Sequence, residues 1–205
     1  VTDVGSQRAR VVVLTGPSGS GKSRLAGRLN ERRGWPIFRL DDFYREGNDP
    51  DLPHRPGLGI PDWDDPRSWN GDAALRALTS LVDTGTAECP RYDISTSSTV
   101  GTHVVTCGPD HLIVAEGIFA AELIEPLRAA GLLHSAWCVV HRHRALTFLW
   151  RLGRDLKERR KPPHILLQRG WGLMRAEPEL VRRQQQLGAL PARATMVERT
   201  VGADR

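Results

Sequence analysis

A chain of 205 residues, 40% hydrophobic and 26% charged, is long enough to bury one good core and reads as a single globular domain. No apolar run approaches the ~18 residues a membrane span requires, which excludes a helical membrane protein as the reading and leaves no membrane partner expected. The net charge of +5 raises nucleic acid as a partner, but residues 40–72 carry nine acidic and three basic side chains while residues 141–205 carry fifteen basic and six acidic. The basic third lacks the interleaved aromatics of a stacking platform, so no nucleic-acid partner is expected either.

The start, VTDVGSQRAR, has basic residues but no adequate apolar region, so it does not read as a secretory signal and a cytoplasmic location is expected. Cys89, Cys107 and Cys138 are odd in number and have no CxxC spacing, which argues against both a disulfide framework and a zinc site.

Val11 to Thr15 form an apolar, β-branched run, and the residues after it fill the pattern GxxxxGKS from Gly16 through Pro17, Ser18, Gly19, Ser20, Gly21 and Lys22 to Ser23. A strand, a tight loop and a helix over 22–33 are expected, which is the context the motif demands. Glycines let successive amide N–H groups turn toward an anion, and the helix start adds the positive end of its dipole. Lys22 would supply a point charge for β/γ-phosphates, and the Ser23 hydroxyl is suited to Mg²⁺. A plain Gly/Ser connector would need neither the lysine nor the spacing.

The next strand, over about 36–40, ends on Asp41 and Asp42. In open parallel sheets ligands bind outside the carboxyl ends of the strands, so one of the two faces the same crevice as the phosphate loop. Adjacent strand residues point to opposite faces, so only one is expected to reach it. From 46 to 70 the chain is rich in Pro, Gly and Asp with no sustained period, the composition of a long binding loop or lid.

A helix is expected over 72–83, then a pair of short strands within 86–107, a buried strand in HLIVAEGIF that ends on Glu116, and another in AWCVVH. ATMVERTV near the end is a candidate last strand. With helices at about 120–130, 144–160 and 178–187, the alternation predicts a mainly parallel α/β sheet covered on both faces. A carboxylate closing an apolar strand, as Glu116 does, is expensive unless it meets a metal, a cation or donors.

Taken in order, the phosphate loop, DDFY, DWDDP, PRYD, AEGIF and RLGRDLKERR resemble the uridine kinase and phosphoribulokinase family of phosphate-loop kinases over about residues 11–161. The resemblance implies a three-layer P-loop fold with a β-hairpin insertion near 86–107 and a helical lid near 144–163. It also implies Mg²⁺-assisted transfer of a phosphoryl group from ATP to a hydroxyl of a small molecule. A nucleoside is the first expectation for the acceptor. Pantothenate, glycerate, a sugar phosphate or an antibiotic hydroxyl are alternatives within the family, and a nucleotide-binding regulatory protein is the alternative outside it.

By the same resemblance Asp41 orients and deprotonates the acceptor hydroxyl, and Ser23, Asp41 and Glu116 stand around the metal. Tyr44, Asp64 and Tyr92 match acceptor-contacting positions, with packing an equal reading for Tyr92. Arg151 and Arg154 match the lid arginines that clamp the transferring group, with Arg159 toward the nucleotide. The local alternative is that Arg151–Asp155 and Arg154–Glu158 are i,i+4 surface ion pairs, worth only ~0.2–0.5 kcal/mol each. Uridine kinases commonly carry a base-reading histidine and an arginine near the places held here by Ser97 and Val100, so this chain departs from the family on the pyrimidine side.

Overall fold

The computed structural model describes residues 10–55, 59–108, 111–140 and 177–203. Its centre is a five-stranded parallel sheet in the order β2-β5-β1-β6-β7, built from β1 (Arg10–Thr15), β2 (Ile37–Arg39), β5 (Leu112–Glu116), β6 (Leu133–Val139) and β7 (Leu190–Ala192). Strands buried on both faces need apolar residues at both parities, and β1 supplies them. Val11 and Val13 face one layer, with α2 (Gly71–Thr84) and α3 (Ile124–Ala129), while Val12 and Leu14 face the other, with α1 (Lys22–Arg33). Helices therefore cover both faces of a parallel sheet, the three-layer α/β arrangement the alternation predicts.

A second, two-stranded antiparallel sheet pairs β3 (Thr86–Asp93) with β4 (Ser98–Thr106). These strands are longer than the short pair expected, and Ala87, Cys89 and Val105 plug the hairpin into the core beside α2.

The segment ATMVERTV is helical rather than a last strand: α5 spans Ala194–Ala203, and the final strand is the preceding β7. Its apolar residues obey the helical period, since Val197 and Val201, four apart, are buried against α1. Glu198, one position on, receives Arg28 at 3.0 Å and Arg32 at 2.7 Å from α1. Residues 177–186 form a further helix, α4, close to the expected bounds. The expected lid, residues 144–163, lies outside the described residues.

Candidate active site

The phosphate loop leaves β1 at the carboxyl edge of the sheet. Gly16 has φ +136° and packs so tightly on β6 that a Cβ there would lie 2.4 Å from the Val139 carbonyl oxygen. Only glycine satisfies both the backbone conformation and the approach. Lys22, at the start of α1, is buried and donates from Nζ to the Gly16 and Pro17 carbonyls at 2.9 and 3.1 Å. Its ammonium therefore sits inside the loop, where an anion would meet it. The Ser20 hydroxyl is buried there with no hydrogen-bond partner, a polar group that an incoming phosphate oxygen would satisfy.

Glu116 ends β5 on the α1 face and accepts from the Ser23 hydroxyl at 3.2 Å. Burial raises the carboxyl above its usual range; the Lys22 charge opposes that, while the neighbouring Asp41 charge adds to it. Gly117 follows, and a Cβ on it would stand 3.0 Å from Asp41 Oδ1 and 2.8 Å from Leu40 Cβ. The bare backbone of Gly117 is what lets Asp41 stand beside Glu116.

Asp41 and Asp42 are not on a strand end. They lie in a 3₁₀ turn, Leu40–Phe43, in which Leu40 and Phe43, three apart, are both buried while the two carboxylates turn outward. The turn is held from outside: Trp69 Nε1 donates to the Leu40 carbonyl at 2.8 Å, Asn70 N–H to Phe43 at 2.9 Å and Arg45 N–H to Ser68 at 2.9 Å. The separation expected of the pair is present, although the turn rather than strand parity produces it. Asp41 lies toward Glu116, and half-buried Asp42 lies toward the hairpin, accepting the Tyr92 N–H at 3.4 Å. Burial raises the Asp42 carboxyl above its ordinary range, with Tyr92, His103 and Arg39 opposing.

Two of the expected acceptor residues, Tyr44 and Tyr92, meet in an aromatic cluster. Tyr44 packs against Trp63, Tyr92 and Phe119 at ring-centroid distances of 5.8, 5.8 and 5.9 Å. The Tyr92 hydroxyl donates to the Arg45 carbonyl at 3.1 Å, so this residue holds hairpin to loop as well as lining the wall. Asp64 is engaged by Arg55 at 2.6 Å, and the same guanidinium reaches Asp62 at 3.2 Å. Ser97 sits in the hairpin turn at φ +52°, where its carbonyl accepts the Gly47 N–H at 2.7 Å, while Val100 is exposed. The Ser97 side chain also reaches that of Tyr92 in the aromatic cluster.

Trp63, Arg55 and Glu46 were not singled out by the sequence; only the aromatic inside DWDDP could have been, as a ring flanked by carboxylates. Arg151, Arg154 and Arg159 lie outside the described residues. Among the described residues no cluster of three or more His, Cys, Asp or Glu side chains is arranged to hold a metal on protein ligands alone. None of the described helices is long and apolar enough to cross a membrane.

The chain is similar to known proteins in sequence and in fold. Two curated relatives are similar over part of the chain: Inorganic pyrophosphatase TTM2 of Arabidopsis thaliana, 29% identical over 119 residues, and Inorganic pyrophosphatase TTM1 of the same plant, 31% over 121. Each match takes in 57% of this chain but only 16% and 17% of the relatives, so the chain spans about a sixth of their length.

Among solved structures, a candidate fructose transport system kinase from Silicibacter sp. TM1040 aligns over 93% of this chain and 90% of its own with TM-score 0.64 at 16% identity. The YGR205w protein aligns over 92% and 87% with TM-score 0.52 at 15% identity. These likenesses show the fold. The phosphoribulokinase/uridine kinase family pattern matches residues 11–169, more than half of the chain, a span that contains the phosphate loop, the 3₁₀ turn and Glu116. The chain belongs to the phosphoribulokinase/uridine kinase family, whose members are phosphate-loop kinases.

Proposed function

We propose that the protein transfers the γ-phosphoryl group of ATP to a hydroxyl of a small molecule. The observation that supports the reading is Asp41 standing beside Glu116, which the Ser23 hydroxyl of the phosphate loop engages. Phosphoryl transfer asks little covalent chemistry of a protein, so positioning and charge stabilisation are the work to be done.

Gly16 to Ser23 would wrap the phosphates, with Lys22 released from its two carbonyls onto the β/γ oxygens. Ser23, Glu116 and Asp41 offer hard oxygen donors of the kind Mg²⁺ takes, few enough that the remaining positions fall to water and phosphate oxygens. Held there by Ser23, Glu116 and Asp41, Mg²⁺ would supply positive charge to neutralise the negative charge developing on the phosphates. Asp41 would accept the proton of the attacking hydroxyl, while Tyr44, Asp64 and Tyr92 would form the acceptor wall. Arg151 and Arg154 would close over the transferring group, with Arg159 toward the nucleotide, and the whole would work as one domain in the cytoplasm.

The name of the plant relatives points to hydrolysis, but it belongs to proteins of which the match covers 16–17%. The test is coupled ADP release with and without acceptors: acceptor-dependent turnover supports a kinase, and steady turnover indifferent to every acceptor supports a hydrolase or a nucleotide-driven regulator.

A further inference from the structure

The acceptor half of the site is an acidic chamber whose guanidiniums are already engaged. Arg45 donates to Asp49 at 3.0 Å, Arg67 pairs with Asp65 at 2.8 Å, and Arg55 is shared between Asp62 and Asp64. Those are all three of the basic residues between 40 and 72, against nine carboxylates. Beneath the hairpin, next to Asp42, opens a cavity of about 260 Å³ whose wall includes Asp42, Tyr44, Arg45, Glu46, Asp49 and Asn70. Asp42 and Glu46 receive backbone N–H groups there, from Tyr92 and Thr99, rather than a guanidinium.

Two exposed arginines border this half. Arg39 continues the face of β2 that carries Ile37, toward α1, where its charge acts on Glu116 and Asp42. Arg91 stands on β3 opposite Gly101. Among the described residues that line the cavity, three carboxylates, Asp42, Glu46 and Asp49, accompany one guanidinium, that of Arg45, which Asp49 already engages.

From this arrangement, and resting on the kinase reading above, we infer that the acceptor is an uncharged or cationic polyhydroxyl compound and carries no phosphate or carboxylate of its own. Carboxylates receive hydroxyl and ammonium donors well, and the Tyr44–Trp63–Tyr92 wall offers ring faces to an apolar or planar surface. An anionic acceptor would find like charge instead, a repulsion that selects against it even where its shape fits. Within the family this separates nucleosides, free sugars and amino sugars, which the chamber suits, from sugar phosphates, glycerate and pantothenate, which it opposes.

The test uses acceptor pairs in which one member carries a charged group that the other lacks: panthenol and pantothenate, glycerol and glycerate, fructose and fructose 6-phosphate, glucose and glucosamine. With the wild-type protein and MgATP, the neutral member of each anionic pair is expected to have the higher kcat/KM, by about 10-fold or more. Raising the salt from 20 mM to 500 mM should shrink that ratio, because exposed charge is screened. Glu46→Gln should shrink it as well.

A higher kcat/KM for the anionic member of any pair would overturn the inference and leave the kinase reading intact. So would a ratio indifferent to salt and to Glu46→Gln. Absence of transfer to every acceptor would remove the kinase reading, and this inference with it.

Discussion

Gly117→Ala probes the geometry that sets Asp41. The added methyl would stand 2.8 Å from Leu40 Cβ and 3.0 Å from Asp41 Oδ1, whereas carbon atoms rest at about 3.5–4.0 Å. The backbone of Gly117 lies outside the left-handed region, so the cost is steric and falls on the 3₁₀ turn, which must retreat by roughly 0.5–1 Å. Overpacking of this kind costs about 1–3 kcal/mol. At ~2–4 °C per kcal/mol for a chain of this size, that lowers Tm by roughly 2–12 °C.

A misplacement near 1 Å of a group acting on the nucleophile costs on the order of 10²-fold in rate, so kcat should fall by about 10–100-fold. The nucleotide-induced rise in Tm should persist, because the phosphate loop is untouched. Gly27→Ala is the matched control: it lies inside α1, and its Cβ would meet nothing within 4 Å. It should add about 0.4–1 kcal/mol of stability and leave kcat alone. Steady-state kinetics and thermal melts of the two variants decide the matter. A Gly117→Ala enzyme with wild-type kcat would refute the account of how Asp41 is placed.

Lys22→Ala should abolish the Tm rise given by MgATP, which at ~100 times the dissociation constant corresponds to about 2.7 kcal/mol; a melt that still shifts would remove the lysine from the phosphate site. Glu116 makes a pH prediction. Burial lifts its native pKa above the ordinary 4.5 of a free glutamate, so its ionised form penalises the native state at high pH and the penalty vanishes below that value. Glu116→Gln should therefore melt above wild type at pH 8 without nucleotide, with the gap closing as the pH falls toward 4.5. A gap that does not change with pH would contradict it.

The sheet, the phosphate loop and the carboxylates at its edge were legible because they depend on local patterns. Apolar residues at both parities declare a strand covered on both faces, and GxxxxGKS declares the anion-binding turn between strand and helix. What escaped was set by packing at a distance. Leu40 and Phe43 read equally well as the end of a strand and the start of a loop until both are seen buried three apart, and only then does the turn that separates Asp41 from Asp42 follow. Val197 and Val201 fit a helix as well as a β-rich tail, and contact with α1 decides for the helix. The pairing of Arg55 with both Asp62 and Asp64 spans loop residues whose approach no periodicity records.

The most direct test of phosphoryl transfer is acceptor-dependent ADP formation by wild type, Asp41→Asn and Asp42→Asn, measured with the best acceptor found and paired with the MgATP-induced Tm shift. The account predicts that Asp41→Asn lowers kcat by about 10²–10⁴-fold with the shift retained, as expected for loss of a general base, while Asp42→Asn falls far less. Turnover that ignores the acceptor, or an equal or larger loss at Asp42, would contradict it.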